Sequence, residues 1–87
     1  MYGENEERIV RIEKMEALFD RLLECERLTP SEINYEDVEI LADYYVSSQW
    51  MSDFEADELG LLPGGLKRGV LSEDGLYDFL MRVKRED

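Results

Sequence analysis

The side chains of this sequence whose type and spacing could do chemistry are four acidic residues in one short segment: Asp53, Glu55, Asp57 and Glu58. Asp53 and Asp57 are four residues apart, so a helix would place both carboxylates on one face, as Mg²⁺ ligands or a catalytic acid pair. Calcium, however, usually takes six or more oxygens from a loop, and paired catalytic acids need a cleft. We therefore interpret the cluster as a solvated acidic face and expect no catalytic residue, metal or cofactor.

Lys67 and Arg68 form the only basic pair between residues 28 and 81, in a glycine-rich stretch just before a helix start. They could contact an anion together with the free amides of that helix, but the glycine spacing of a phosphate-binding loop is missing. Alternatively, they pair with acidic residues of the preceding helix and fix the loop to it; the candidates are Asp53, Asp57 and Glu58. We favour this pairing.

Aromatic residues are the other candidate contact groups, since tyrosine and tryptophan are frequent at binding surfaces. In a chain this short we expect them to build the core instead: Trp50, Phe54, Tyr44, Tyr45 and Tyr77. Tyr44 falls outside the main apolar stripe of its helix, so it could be exposed to a partner. We therefore place Tyr44 in the candidate interaction surface, together with the four acidic residues and the Lys67–Arg68 pair.

Composition excludes several classes of function. The 87 residues include 22 acidic and 10 basic side chains and no histidine, giving a net charge of −12. Such a chain should be repelled by nucleic acids and anionic lipid, so we expect no direct nucleic-acid partner and no membrane partner. The lack of histidine excludes histidine-based triads and zinc sites. A single cysteine, with no long apolar stretch, predicts a cytoplasmic protein.

The charge is unevenly distributed along the chain. Residues 28–66 contain nine acidic residues and no basic one, whereas residues 67–87 contain five of each. This asymmetry indicates a protein partner with a basic surface. The alternative is that the acidic side chains only keep a small protein soluble.

The elements that must position these side chains are helices. Apolar residues recur at three- and four-residue steps over residues 5–27, which predicts a long first helix. A second helix starts either after Thr29, with Pro30 at its first position, or after Asn34, and it ends near Val46. The segment 49–59 is a third helix or a continuation of the second, since Ser47-Ser48 only interrupts the pattern.

The carboxyl-terminal part combines a loop with a last helix. Gly60 suits a left-handed helix end, and Ser72 is placed as the cap of the last helix. Between them we expect a leucine-rich Gly/Pro loop to turn its apolar side chains inward: Leu61, Leu62, Leu66 and Val70. We predict one all-α domain over residues 1–87, a small bundle of about four helices in which the first helix packs antiparallel against the second.

Three segments share a pattern with known sequences: residues 11–16 (RIEKME), 48–58 (SQWMSDFEADE) and 66–77 (LKRGVLSEDGLY). They resemble a bacterial family of small acidic helical proteins, the domain of unknown function 4298 family. The resemblance implies an all-helical bacterial cytosolic protein. It implies no activity, substrate or catalytic residue.

Our functional expectation is a non-enzymatic protein-interaction or adaptor module whose acidic helical surface faces a basic partner. An alternative from another class is a nucleic-acid mimic that inhibits or regulates a basic-surfaced enzyme. Homodimer formation is a further expectation, because the first helix is apolar over a broad arc and a small chain gains core by association.

Overall fold

Capping residues divide the chain into four α-helices. The computed structural model describes residues 4–84, and over that range it contains no strand. The helices are α1 (Glu4–Leu28), α2 (Tyr35–Tyr45), α3 (Ser48–Glu58) and α4 (Glu73–Lys84). Short 3-10 turns lie at Pro30–Glu32 and Gly69–Leu71. The all-α prediction is confirmed.

Asn34 and Ser47 settle the two boundaries that the sequence leaves open. The side chain of Asn34 accepts hydrogen bonds from the amides of Glu36 and Asp37, at 2.9 and 3.4 Å, so α2 starts after Asn34. Thr29 makes no such side-chain bond, and the residues after it form only a 3-10 turn. The hydroxyl of Ser47 accepts from the Trp50 amide at 3.1 Å, which makes α3 a separate helix.

Gly60 ends α3 in the left-handed conformation expected of it, with a φ of 72°. The turn leaves Leu61 on the outside, 56% exposed, and buries Leu62. The prediction that Leu61 turns inward is therefore wrong, while Leu62 and Val70 are buried and Leu66 is half-buried. The hydroxyl of Ser72 accepts from the amide of Gly75 at 3.2 Å and starts α4.

The first two helices run antiparallel. Arg21, late in α1, pairs with Asp37, early in α2, at 3.5 Å. Arg11, early in α1, and Tyr44, late in α2, both bind the same residue of α3. This arrangement matches the predicted packing.

The core lies where these helices meet α4. Phe19 of α1 and Phe79 of α4 pack edge to face with ring centroids 5.4 Å apart. Trp50 is buried as predicted, whereas Tyr77 is half-exposed because it lies outside the buried stripe of α4. No helix in the described range is long and apolar enough to cross a membrane.

Candidate functional site

Asp53 is the centre of a buried polar cluster and does not lie on the acidic surface where the sequence placed it. Its side chain has no exposed surface. One carboxylate oxygen accepts from Arg11 at 2.5 Å and from Arg8 at 3.2 Å. The other accepts from Arg11 at 3.0 Å and from the Tyr44 hydroxyl at 2.7 Å. We call these four residues the Asp53 cluster.

Three helices supply the Asp53 cluster. Arg8 and Arg11 are three residues apart on α1, so their side chains reach the same side of that helix. Asp53 lies three residues after Trp50 on the buried side of α3. Arg8 also donates to the hydroxyl of Ser52 at 2.8 Å. The cluster therefore ties the start of α1 to the end of α2 and the middle of α3.

Tyr44 is also buried, which corrects its assignment to the interaction surface. Its hydroxyl reaches Asp53, and this contact gives the polar end of the ring a partner inside the protein. Burial is the main cause that raises the pKa of Tyr44 above its ordinary value, and the hydrogen bond to Asp53 adds to it. The hydrogen bond to Asp53 likewise raises the pKa of Arg11.

The contacts of the Asp53 cluster are all made within the protein. Both oxygens of Asp53 are already occupied by donors, and two guanidinium groups more than offset its charge. Asp53 and Asp57 do not act as a pair, because Asp57 binds Arg68 instead. Within residues 4–84, no group of three or more acidic or cysteine side chains is placed to hold a metal ion.

Lys67 and Arg68 bind two different helices. Arg68 donates to Asp57 of α3 at 2.6 Å and to the carbonyls of Leu66 and Pro63, at 3.1 and 2.8 Å. It thus fixes the loop to α3 in the way that the sequence favours. Lys67 instead pairs with Asp20 of α1 at 2.5 Å, a partner that was not among the expected ones. The hydrogen bond to Asp20 raises the pKa of Lys67.

Glu16 is a second buried acid, and the sequence did not predict it. It is 6% exposed, and its carboxylate accepts from the amide of Val70 at 3.0 Å. The indole nitrogen of Trp50 donates to the carbonyl of the same Val70 at 2.7 Å. A Cβ atom on Gly69 would lie 2.8 Å from the Glu16 carboxylate, so glycine allows this close approach. Glu16 lies within the apolar stripe of α1, three residues before Phe19, and that position was the available signal.

Comparison with known proteins places the chain in a family. The family described as a domain of unknown function, DUF4298, matches residues 12–85. The chain belongs to the DUF4298 family. The matched range contains Glu16, Asp53 and Val70, whereas Arg8 and Arg11 lie before it. No curated protein and no solved structure matches this DUF4298 chain significantly.

The nine acidic residues between positions 28 and 66 of this DUF4298 member differ in their surroundings. Asp37, Asp53 and Asp57 pair with basic residues from other segments. Six of the nine are exposed: Glu32, Glu36, Glu39, Asp43, Glu55 and Glu58. Glu36, Glu39 and Asp43 follow helical spacing on α2 and lie beside the exposed Ile40. We call these three acidic residues and Ile40 the α2 acidic face.

Proposed function

We propose that this DUF4298 chain is a non-enzymatic protein-interaction or adaptor module that binds a partner with a basic surface. The observation that carries the proposal is the α2 acidic face. Its three carboxylates are exposed within two helical turns, in a segment that contains no basic residue. Such a surface attracts and orients a cationic partner at long range.

The proposed absence of enzymatic activity rests on the two buried acids. Buried acids are the first candidates for catalytic groups in a fold of this kind. Here Asp53 and Glu16 hold helices and a loop together through four side-chain donors and one backbone amide. The single cysteine and the bacterial family resemblance support a bacterial cytosolic location as part of the same proposal.

A capture experiment with two charge-matched variants tests the proposed function. The first removes the three charges of the α2 acidic face (Glu36→Gln, Glu39→Gln and Asp43→Asn). The second removes three exposed charges elsewhere (Glu13→Gln, Glu24→Gln and Asp78→Asn). Proteins captured from a bacterial lysate at low salt should be released by added salt, and the first variant should retain much less than the second.

Two results would contradict the proposal: capture that ignores salt, or equal loss in both variants. The nucleic-acid-mimic alternative stays a prediction. It would replace the adaptor proposal if the captured protein is an enzyme that releases duplex DNA when this chain binds.

A further inference from the structure

A shallow groove lies between α1 and α2, beside the α2 acidic face. Its volume is about 210 Å³, and these residues line it: Lys14, Met15, Leu18, Arg21, Asp37 and Ile40. A second depression, of about 480 Å³, continues along α1 from Lys14 and Met15 and is lined there by Glu7, Val10 and Arg11. We call the two together the α1–α2 groove. Small-molecule sites usually bury most of the ligand's surface, so an open groove of this kind suits side chains of a partner better than a metabolite.

The groove presents apolar side chains that solubility does not explain. Ile40 is 47% exposed and Val10 is 57% exposed, and Met15 lies half-buried in both depressions. Carboxylates alone would keep the surface of α2 soluble. Ile40 places an exposed apolar side chain between these carboxylates and the groove. An apolar side chain bordered by charged residues is typical of a binding surface.

The shape of the groove selects the conformation of its occupant. No strand edge is present within residues 4–84, so a partner cannot bind there by adding a strand. Proline-rich segments need grooves lined by aromatic rings, and no aromatic residue lines this one. A channel between two antiparallel helices instead accepts a third helix whose apolar side chains repeat at three- and four-residue steps.

Charge then defines the two flanks of that helix. Glu36, Glu39 and Asp43 do not line the groove itself but lie exposed on α2 next to Ile40, whereas the α1 wall carries Lys14 and Arg21. We propose that the α1–α2 groove binds an amphipathic helix of a partner protein, with lysine or arginine on the flank facing α2 and acidic or neutral residues on the flank facing α1. This inference rests on the proposed function and names the partner's chemistry and the binding position.

A second copy of this chain fits the groove less well. Each copy carries a net charge of −12, so two copies repel each other. The segment 28–66 of a second copy also has no basic residue to set against the α2 acidic face. A cationic partner gains from the same charges that oppose self-association.

A pair of synthetic helical peptides tests the inference. The first has leucines along one stripe, lysines on one flank and glutamates on the other. The second has the same composition with the leucines spread around the helix, and polylysine serves as a probe for charge alone. The striped peptide should bind more tightly than the second one, and its NMR shift changes should centre on Val10, Met15 and Ile40. Ile40→Gln should weaken its binding about tenfold, the loss expected from a central apolar anchor.

Met51→Gln is the matched control, because Met51 is 53% exposed on α3. It should leave the affinity for the striped peptide unchanged. Equal affinity for the two peptides, equal effects of the two substitutions, or shift changes centred on Glu55 and Glu58 would overturn the groove but leave the proposed function standing. Failure of every cationic probe, polylysine included, to bind at low salt would overturn both. A dimer in sedimentation that Ile40→Gln dissociates would give the groove to a second copy and overturn the inference.

Discussion

Asp53 and the α2 acidic face hold the same kind of side chain in the same acidic segment, yet they have opposite surroundings. Asp53 has no exposed surface and receives bonds from Arg8, Arg11 and Tyr44. Asp43, one residue from Tyr44, is exposed on α2. The carboxylate of Asp53 therefore holds three helices together, while that of Asp43 contributes to the field around the protein.

This difference shows that the charge of a segment does not describe the charge of a surface. A buried carboxylate needs compensating charge, and the bases that supply it to Asp53 are 42 and 45 residues away in sequence. An exposed carboxylate is solvated by water and contributes little to stability. Folding pairs Asp37, Asp53 and Asp57 with basic residues from other segments and leaves three other acids exposed on one helix. The comparison predicts that substitutions at Asp53 lower the stability of the protein, whereas substitutions on the α2 acidic face lower its affinity for a partner.

The largest expected effect follows Asp53→Asn. The amide cannot balance the two guanidinium groups, so we expect a loss of about 3 kcal/mol in the free energy of unfolding. This is the low end for a broken buried pair, because Arg8 and Arg11 keep 16% and 24% of their side-chain exposure. Asp43→Asn should change the same free energy by less than about 0.5 kcal/mol. Urea unfolding of both variants checks this, and equal losses would contradict the distinction.

Glu16→Ala should produce the next largest loss. It removes the acceptor of the buried Val70 amide, and an unsatisfied buried donor costs about 1–3 kcal/mol. Glu16→Gln keeps a side-chain oxygen at this position and should retain most of the stability. Glu13→Ala, at an exposed position of α1, serves as the surface control in urea unfolding. If Gln and Ala cost the same, the bond to Val70 is not what Glu16 supplies.

The helices and their ends were predictable because the signals for them are local. Asn34, Ser47 and Ser72 each accept from an amide two or three residues ahead, so a short window of sequence contains both partners. The left-handed turn at Gly60 is local in the same sense. The start of α2 stayed open only because Thr29 and Asn34 are both acceptable caps. In the folded protein Asn34 is the cap.

The buried acids were not predictable in the same way, because their partners are distant. In the sequence, Asp53 is one member of an acidic run. No residue near it in sequence indicates that Arg8 and Arg11 are its partners. Periodicity favoured Tyr45 over Tyr44 for the core, and the bond from Tyr44 to Asp53 reversed that order. Lys67 likewise found Asp20 on α1, a contact spanning 47 residues. A polar residue at a buried register position, as at Glu16 and Asp53, is the signal to follow in such chains.

Tyr44→Phe should have a smaller effect than either substitution of a buried acid. It removes one of four bonds to Asp53 while the two arginines remain, so we expect a loss of about 1 kcal/mol. Tyr35→Phe, at an exposed position, should be neutral in the same urea experiment. A neutral Tyr44→Phe would mean that the hydroxyl adds nothing to the charge balance around Asp53.

The smallest expected effect is a pH dependence of the stability difference between wild type and Tyr44→Phe. The folded pKa of Tyr44 is raised above its ordinary value of 10.0, chiefly by burial. Its contribution is therefore complete below pH 10 and falls as the pH rises further, because the unfolded chain then loses a proton that the folded one keeps. The stability gap between wild type and Tyr44→Phe should narrow between pH 9 and pH 11, about the tyrosine pKa. A gap that stays constant or widens over this interval would show that Tyr44 does not titrate as a buried donor to Asp53.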